Sequence, residues 1–561
     1  MSATVRFVGA AAFHNSMNSS LSLRSVVLIG CINAGVISAP VSAQQPACTA
    51  VPDSLIGTLS GLTVTSVEII TSNPDRMPGP AGALEVLHIR TGKDIIRRQL
   101  LLKPGEALDT LRVRESAHRL RRQGYLAEAS IELQQCYDSA GAGRNVHVIV
   151  LTKDSWSTRP SIKVRSSSAT AIGLEERNMM GTGRTVRAYV RSDAGRTGVG
   201  LAYVDPWLFG SPISGALSRN VYRDGRDWRV GIGTRQRSVF DKWRGDLTLF
   251  DARRRSLTGP DTLHRSAQVF TLSHVVRSSP TGALSLLSGF ERERTRLSVF
   301  SDVPVVGPRR VNRDFAGFDL GLARYSVHYE AIDWYLPGAR VADLPAGFEG
   351  EGLIGFGRDF ISNTPMMHAD LWAGHFWFPR RDLFASTDIW MSGYVNRDAW
   401  SGATRRAAVS VYKQAADGMW MARVGAEQLT DPDPDVRTLE SLDPTVGAIS
   451  STSRLAESAV AISLERSAHL VGVTKGYVLD GALFSAASSR WDAASTSNTT
   501  MSVGIVGAGL RLSPRRLGGA GVRFDVGYPV VRSSAVRQRV FVSLSLSPWI
   551  EVGRARQGIG F

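Results

Sequence analysis

The sequence predicts a mainly β protein: a transmembrane antiparallel β-barrel of about 16 strands behind one small α+β region of order β-α-α-β-β. Three observations carry this. The last sixty residues alternate with a period of two. The first forty carry an export pattern. No other segment reaches the ~18 apolar residues of a membrane-spanning helix, so any membrane residence falls to strands.

The alternation is clearest at the end of the chain. Val522, Phe524, Val526 and Tyr528 fall on one face, with Arg523, Asp525 and Gly527 on the other. Val540, Val542, Leu544 and Leu546 share a face, with Ser543 and Ser545 opposite. Lipid on one side and a wet lumen on the other demand this pattern. A soluble sandwich edge can share it, so the argument rests on many such strands following an export signal.

That signal is read over residues 1–43. Arg24 precedes an apolar run from Val26 to Ile37, and Val41-Ser42-Ala43 offers small residues for cleavage before Gln44. Met17 is an alternative start. Leu28-Ile29-Gly30-Cys31 resembles a lipidation box, but the apolar run continues past the cysteine. A mature N-terminal segment, 44–60, follows.

Composition agrees. Mean hydropathy is −0.06, as expected where only alternate residues meet lipid. Of 12 Trp, all but Trp156 lie beyond residue 160; Trp207, Trp228, Trp243, Trp372, Trp377, Trp390 and Trp420 are candidates for interfacial girdles. The net charge of +16 falls to +14 without Arg6 and Arg24. Its arginines are spread over alternating strands rather than gathered on one basic helix, which argues against nucleic acid. An Arg-rich lumen, or rims facing lipid phosphates, fits better. Outer-membrane lipid is therefore an expected partner. Cys48 and Cys136 remain after the signal, an even pair that suggests one disulfide in an oxidising compartment.

Residues 61–155 read as the α+β region. Thr63 to Thr71 is β-rich. Asp94 to Leu102 reads as a short helix broken by Pro104-Gly105. Asp109 is placed to cap a second helix, in which Val113, Ala117 and Leu120 recur on one face. Gly124 is expected to end it as a left-handed residue. Strands follow at Ala129 to Leu133 and Asn145 to Leu151, joined by the turn Ser139 to Gly143.

Here the chain resembles a known family. Residues 94–133, with Pro104-Gly105-Glu106, Leu120 and Gly124-Tyr125, resemble a polypeptide-transport-associated (POTRA) domain. Gly173 to Asn178 with Gly181-Thr182-Gly183 resembles the first strand and first hairpin of BamA/TamA-like barrels of the bacterial surface antigen family. Asp205-Pro206-Trp207 resembles the turn after their third strand. Gly507 to Arg511 and Phe524-Asp525-Val526-Gly527-Tyr528-Pro529 resemble their penultimate strands. The resemblance implies a barrel over 160–549, a tail over 550–561 and a POTRA-like domain in the periplasm. It implies insertion or translocation of client proteins by strand augmentation, with an unfolded client or secreted protein and periplasmic assembly partners. It implies no enzyme and no cofactor. The last strand is expected at Arg537 to Ser547.

The chain also departs from the family. The lumen loop that carries a Val-Arg-Gly-aromatic tip there corresponds to Val436-Arg437-Thr438-Leu439 here, and a second expected wall acid is replaced by Ser485-Ala486. Arg437 and Glu465 remain candidates for a loop-to-wall latch. The departure leaves open a passive or lipid-handling pore, or an adhesin or receptor using loops such as Ser301 to Arg313.

No catalytic or metal residue is assigned. Gly504 to Gly509 resembles a nucleotide loop, but it sits in a strand pattern with no helix after it. His328, His368 and His375 lack metal-ligand spacing. Asp431 to Asp435 reads as a solvated acidic loop.

Overall fold

The computed structural model describes residues 48–548 except 75–87, 138–143, 166–168, 194–195, 235–240, 256–261, 280, 299–311, 327, 337–339, 397–398, 431–457, 471–476, 492–500, 515–519 and 533–539. The export segment, the Cys31 box, the acidic run, Arg437 and the tail lie outside the described residues.

The chain opens with β1 (Cys48–Ala50), β2 (Thr63–Ser72), α1 (Lys93–Arg97), α2 (Thr110–Arg121), β3 (Leu126–Tyr137) and β4 (Arg144–Asp154). These strands form one sheet of order β1-β3-β4-β2, with β2 parallel to β4. Both helices bury one side against a core containing Ile96, Leu108, Val113, Leu120, Leu133 and Val148. The Asp109 carboxylate caps α2 by accepting from the Leu111 amide at 2.9 Å. Cys48 and Cys136 stand opposite in the β1–β3 ladder and are joined as a disulfide.

A closed barrel of 20 antiparallel strands follows. Its first half is β5 (Thr158–Arg165), β6 (Ala169–Met179), β7 (Arg184–Asp193), β8 (Arg196–Asp205), β9 (Ser214–Tyr222), β10 (Gly225–Gly233), β11 (Trp243–Arg255), β12 (Thr262–Ser279), β13 (Gly282–Ser298) and β14 (Arg313–Ser326). A separate hairpin, β15 (Tyr329–Leu336) and β16 (Arg340–Pro345), interrupts the ring. The second half is β17 (Gly347–Asp359), β18 (Thr364–Arg380), β19 (Leu383–Asn396), β20 (Ala399–Ala415), β21 (Gly418–Thr430), β22 (Ser458–His469), β23 (Tyr477–Trp491), β24 (Met501–Pro514), β25 (Ala520–Arg532) and β26 (Phe541–Pro548). β26 returns to β5.

The period of two sorts side chains to the two faces. Phe318, Leu320 and Leu322 of β14 are exposed on the outside, Phe318 at 70%, while Phe315, Asp319 and Ala323 are buried within. Ile354, Leu483, Val526 and Tyr528 repeat the outward pattern on other strands. Such a continuous apolar belt far exceeds the patches a water-soluble surface carries.

Several expectations are corrected. Among the described residues the ring has 20 strands, not about 16: turns such as Arg381-Asp382 and Ala416-Asp417 are so short that each strand and connection takes about twenty residues. Gly173 to Asn178 lies on the second barrel strand, because the short β5 precedes it, and Asp205-Pro206 accordingly follows the fourth. The last strand starts at Phe541. α1 stops at Arg97, since the Leu101 amide is captured by the Ser116 hydroxyl and Leu100 and Leu102 turn into the core. Gly124 is absent from the left-handed region; α2 ends at Arg121, and Gly124 instead clears space for the Arg177 guanidinium, 2.9 Å from where a Cβ would stand. Trp228, Trp243, Trp377 and Trp420 face outward near strand ends, but Trp372 points inward and Trp207 is buried in a turn.

Candidate functional site: the strand seam and the covered mouth

The ring is weakest where it closes. β26 meets β5 through three residue pairs, Ser543↔Arg165, Leu544↔Val164 and Ser545↔Lys163. The flanking ladders β5–β6 and β25–β26 each align eight. Among the described residues, Thr158 to Ile162 have no β26 partner, which leaves the seam unpaired there over the half nearest the α+β region. The Arg177 amide donates to the Ser157 carbonyl at 3.0 Å, which turns odd-numbered β5 backbone groups toward β6 and even-numbered ones toward the seam. Pro160 is one of the latter and has no N–H to offer. A proline within a sheet is confined to edges, strand starts and bulges, and Pro160 takes the edge.

The α+β region is held against this end of the barrel at several places. Gly92 N–H donates to the Gly181 carbonyl at 3.0 Å. Asn178, buried at the end of β6, donates to Thr91 Oγ1 at 2.9 Å and accepts from the Gly183 amide at 2.7 Å. Gly181 and Gly183 both take positive φ, and a Cβ on Gly183 would press the buried Tyr125 ring. Asn178, Gly181 and Gly183 thus build one joint. Gly105 makes a left-handed turn whose amide donates to Val64. Asp205 accepts from the Trp207 amide and from Arg184, fixing the turn through Pro206; Arg98 lies over the Trp207 ring at 5.7 Å.

The farthest contact is the β15–β16 hairpin. It joins the tenth barrel strand to the eleventh, half-way round from β5. Asp343 of β16 accepts two hydrogen bonds from Arg121, at 2.7 and 3.0 Å, and lies 3.0 Å from His118 Nδ1. The His118 ring stacks on Tyr329 at 3.6 Å. Burial raises the Asp343 carboxyl, but the His118 and Arg121 hydrogen bonds outweigh it and hold it below the usual range. Burial lowers His118 by more than Asp343 raises it, leaving the ring neutral near pH 7. Burial pushes Tyr329 up to about 12. On its other side the hairpin packs Ile332 and Leu344 on Phe384 and Tyr412, inward residues of β19 and β20. Hairpin and helix together cross the mouth.

Of the charged networks on the inner wall, two gather residues already singled out. Arg511, almost fully buried, meets Glu465 at 3.0 Å and Asp525 at 2.6 Å, and Arg523 bonds the same two acids. Glu465 thus has two wall arginines as partners. Asp525 belongs to the same network, Gly527 leaves room for Ile505, and Pro529 sits at a register shift in β24–β25. In the second network, Tyr394 donates to Glu291 and Glu293, Arg313 pairs with Glu293 at 2.9 Å, and His368 Nδ1 lies 3.0 Å from Glu291. Glu291, Asp319 and His368 offer ligand atoms within 4.8 Å of one another, a set able to hold a divalent ion. Linear spacing missed this trio because barrel register, not sequence, brings it together; inward Gly355 lies between Asp319 and His368.

No family model matches the chain, and no curated protein matches it. Among solved structures, the chain is similar to CdiB from Acinetobacter baumannii, at 10% identity over 89% of this chain and 77% of that one, TM-score 0.39. It is similar to BamA from Haemophilus ducreyi lacking POTRA domains 1-3, at 12% identity over 86% and 84%, TM-score 0.33. It is also similar to the FrpB iron transporter from Neisseria meningitidis, at 9% identity over 74% and 87%, TM-score 0.37.

Proposed function

We propose that this chain is an outer-membrane barrel that inserts or passes client proteins by strand augmentation, with its α+β region acting as a POTRA-like domain in the periplasm. The observation that carries this reading is the three-pair seam with Pro160 on its edge. Unpaired backbone groups beside a membrane are costly and invite another strand. A client β-strand would take up the seam-facing groups of β5 before meeting lipid. The outward apolar belt supports the membrane setting. The α+β sheet supplies a second template: the outer edge of β2 beyond Val64 has no strand partner among the described residues. Covalent closure tests the seam. Val164→Cys with Leu544→Cys, oxidised in cells, should arrest export or insertion and recover on reduction; unchanged outer-membrane and secreted proteomes would overturn the reading. On depletion, broad loss of other barrels would mark an assembly role, and loss of one secreted protein a dedicated transporter.

One observation favours a second reading, a gated pore: the hairpin and α2 cover the mouth. Client-independent conductance that rises when the Asp343 clasp is broken would support it.

A further inference from the structure

The outside of the barrel carries a charged feature that client handling does not use. Phe270, Phe290, Phe318 and Phe356 are paired in register across β12, β13, β14 and β17, and all face outward. The rings of Phe290 and Phe318 meet edge-on at 5.6 Å. One step farther from the α+β region, the same face of β13 changes character to Arg292, Arg294 and Arg296. Their guanidiniums converge on one carboxylate, Asp314 of β14, at 3.5, 2.7 and 3.9 Å. Asp314 is 5% exposed, whereas Arg292 and Arg296 keep about half of their surface open.

Among the described residues, three cations gathered on one anion leave about two positive charges in excess. Gathered on a half-exposed face, they favour an anion seated against them. A phosphate monoester fits: it carries roughly −1.5 to −2 charges and three acceptor oxygens, and guanidinium forks match its geometry. The aromatic row beneath fixes where that phosphate comes from. Phenyl rings have no polar atom and belong in hydrocarbon; as the last outward apolar rung of β13 before Arg292, the row marks where hydrocarbon ends, so the arginines one to three steps above it stand at headgroup level.

We infer that Arg292, Arg294 and Arg296 form a binding site for the phosphate groups of a membrane lipid, of the phosphorylated-glycolipid type, in the leaflet away from the α+β region. This rests on the membrane reading above. Asp314 spaces the three arginines, and the phenylalanine row receives the acyl chains. His264 on the neighbouring strand is not free to add to the site, being held by Asp251 at 2.6 Å.

The test uses the full chain in phosphatidylcholine nanodiscs containing diphosphorylated lipid A, dephosphorylated lipid A, or neither with inorganic phosphate added. Native mass spectrometry and thermal unfolding are the readouts. The diphosphorylated lipid should stay bound and raise the unfolding temperature. Arg292→Gln/Arg294→Gln/Arg296→Gln should weaken retention by about tenfold or more while the barrel remains folded. Arg296→Gln alone, which removes the most loosely held arginine, should give an intermediate loss and serves if the triple variant does not fold. Equal retention by the variants, or of the dephosphorylated lipid, would overturn the site. So would an equal response to inorganic phosphate. Failure to enter a bilayer at all would overturn the membrane reading with it, whereas insertion without lipid preference would overturn the site alone.

Discussion

Arg121 and Asp343, 222 residues apart, form a two-bond fork that ties a helix at the start of the chain to a hairpin half-way round the barrel. The Asp343 side chain is 3% exposed and that of Arg121 29%. Asp343→Ala should therefore undock α2 from the hairpin. The partly solvated Arg121 tempers the cost to about 1–3 kcal/mol. Hydrogen exchange should rise in α2 and in β15–β16 together. Unchanged exchange would mean that the joint at Gly181 and Gly183 holds the region without the clasp.

The same clasp should loosen in acid. The docked His118 sits below its ordinary value of 6.5, so the undocked ring binds a proton first. Its contribution is complete above pH 6.5 and declines as pH falls below that value toward the docked pKa. Asp343, held below 3.8, adds a second loss only as pH falls below 3.8. Protease sensitivity of α2 should rise between pH 7 and pH 5, and His118→Gln should flatten that change while leaving the loss at lower pH.

The joint nearer the seam is conformational. Gly181 has φ +72°, and a Cβ there would stand 2.5 Å from the Arg90 carbonyl oxygen. Gly181→Ala combines left-handed backbone strain of roughly 1–2 kcal/mol with that clash. It should displace the segment around Thr91 from the barrel turn without unfolding the barrel. Measured exchange at Gly92, whose amide makes the bridging hydrogen bond, should increase.

What could be read from sequence followed locality. The Asp109 cap and the alternating face of Val522 to Tyr528 depend on neighbours in the chain, and each is legible there. α1 is shorter than its local sequence suggests because Ser116, a residue on another helix, ends it. The first barrel strand is faint in the sequence because eight residues with a proline give little alternation. His118, Asp343 and the Glu291, Asp319 and His368 trio were invisible for a different reason. Their partners are set by strand register and by docking across the mouth, and no spacing rule encodes either.

The wall network near the seam gives the sharpest stability test. Arg511 is 1% exposed and stands between Glu465 and Asp525, with Arg523 bridging the same pair from the next strand. Removing one partner of a buried charge network costs more than the network itself contributes, because the acids left behind stay desolvated. Arg511→Met should cost about 3–5 kcal/mol and lower the temperature at which the folded barrel converts to the unfolded band on gels. Glu465→Gln with Asp525→Asn on top of it removes the stranded charges and should restore most of the loss. Arg437→Ala distinguishes two roles for Glu465. If the two wall arginines already satisfy that carboxylate, the variant should match the parent in stability. If the loop arginine competes for it, the Arg511→Met background should become sensitive to residue 437, with a coupling visible in the double-mutant cycle.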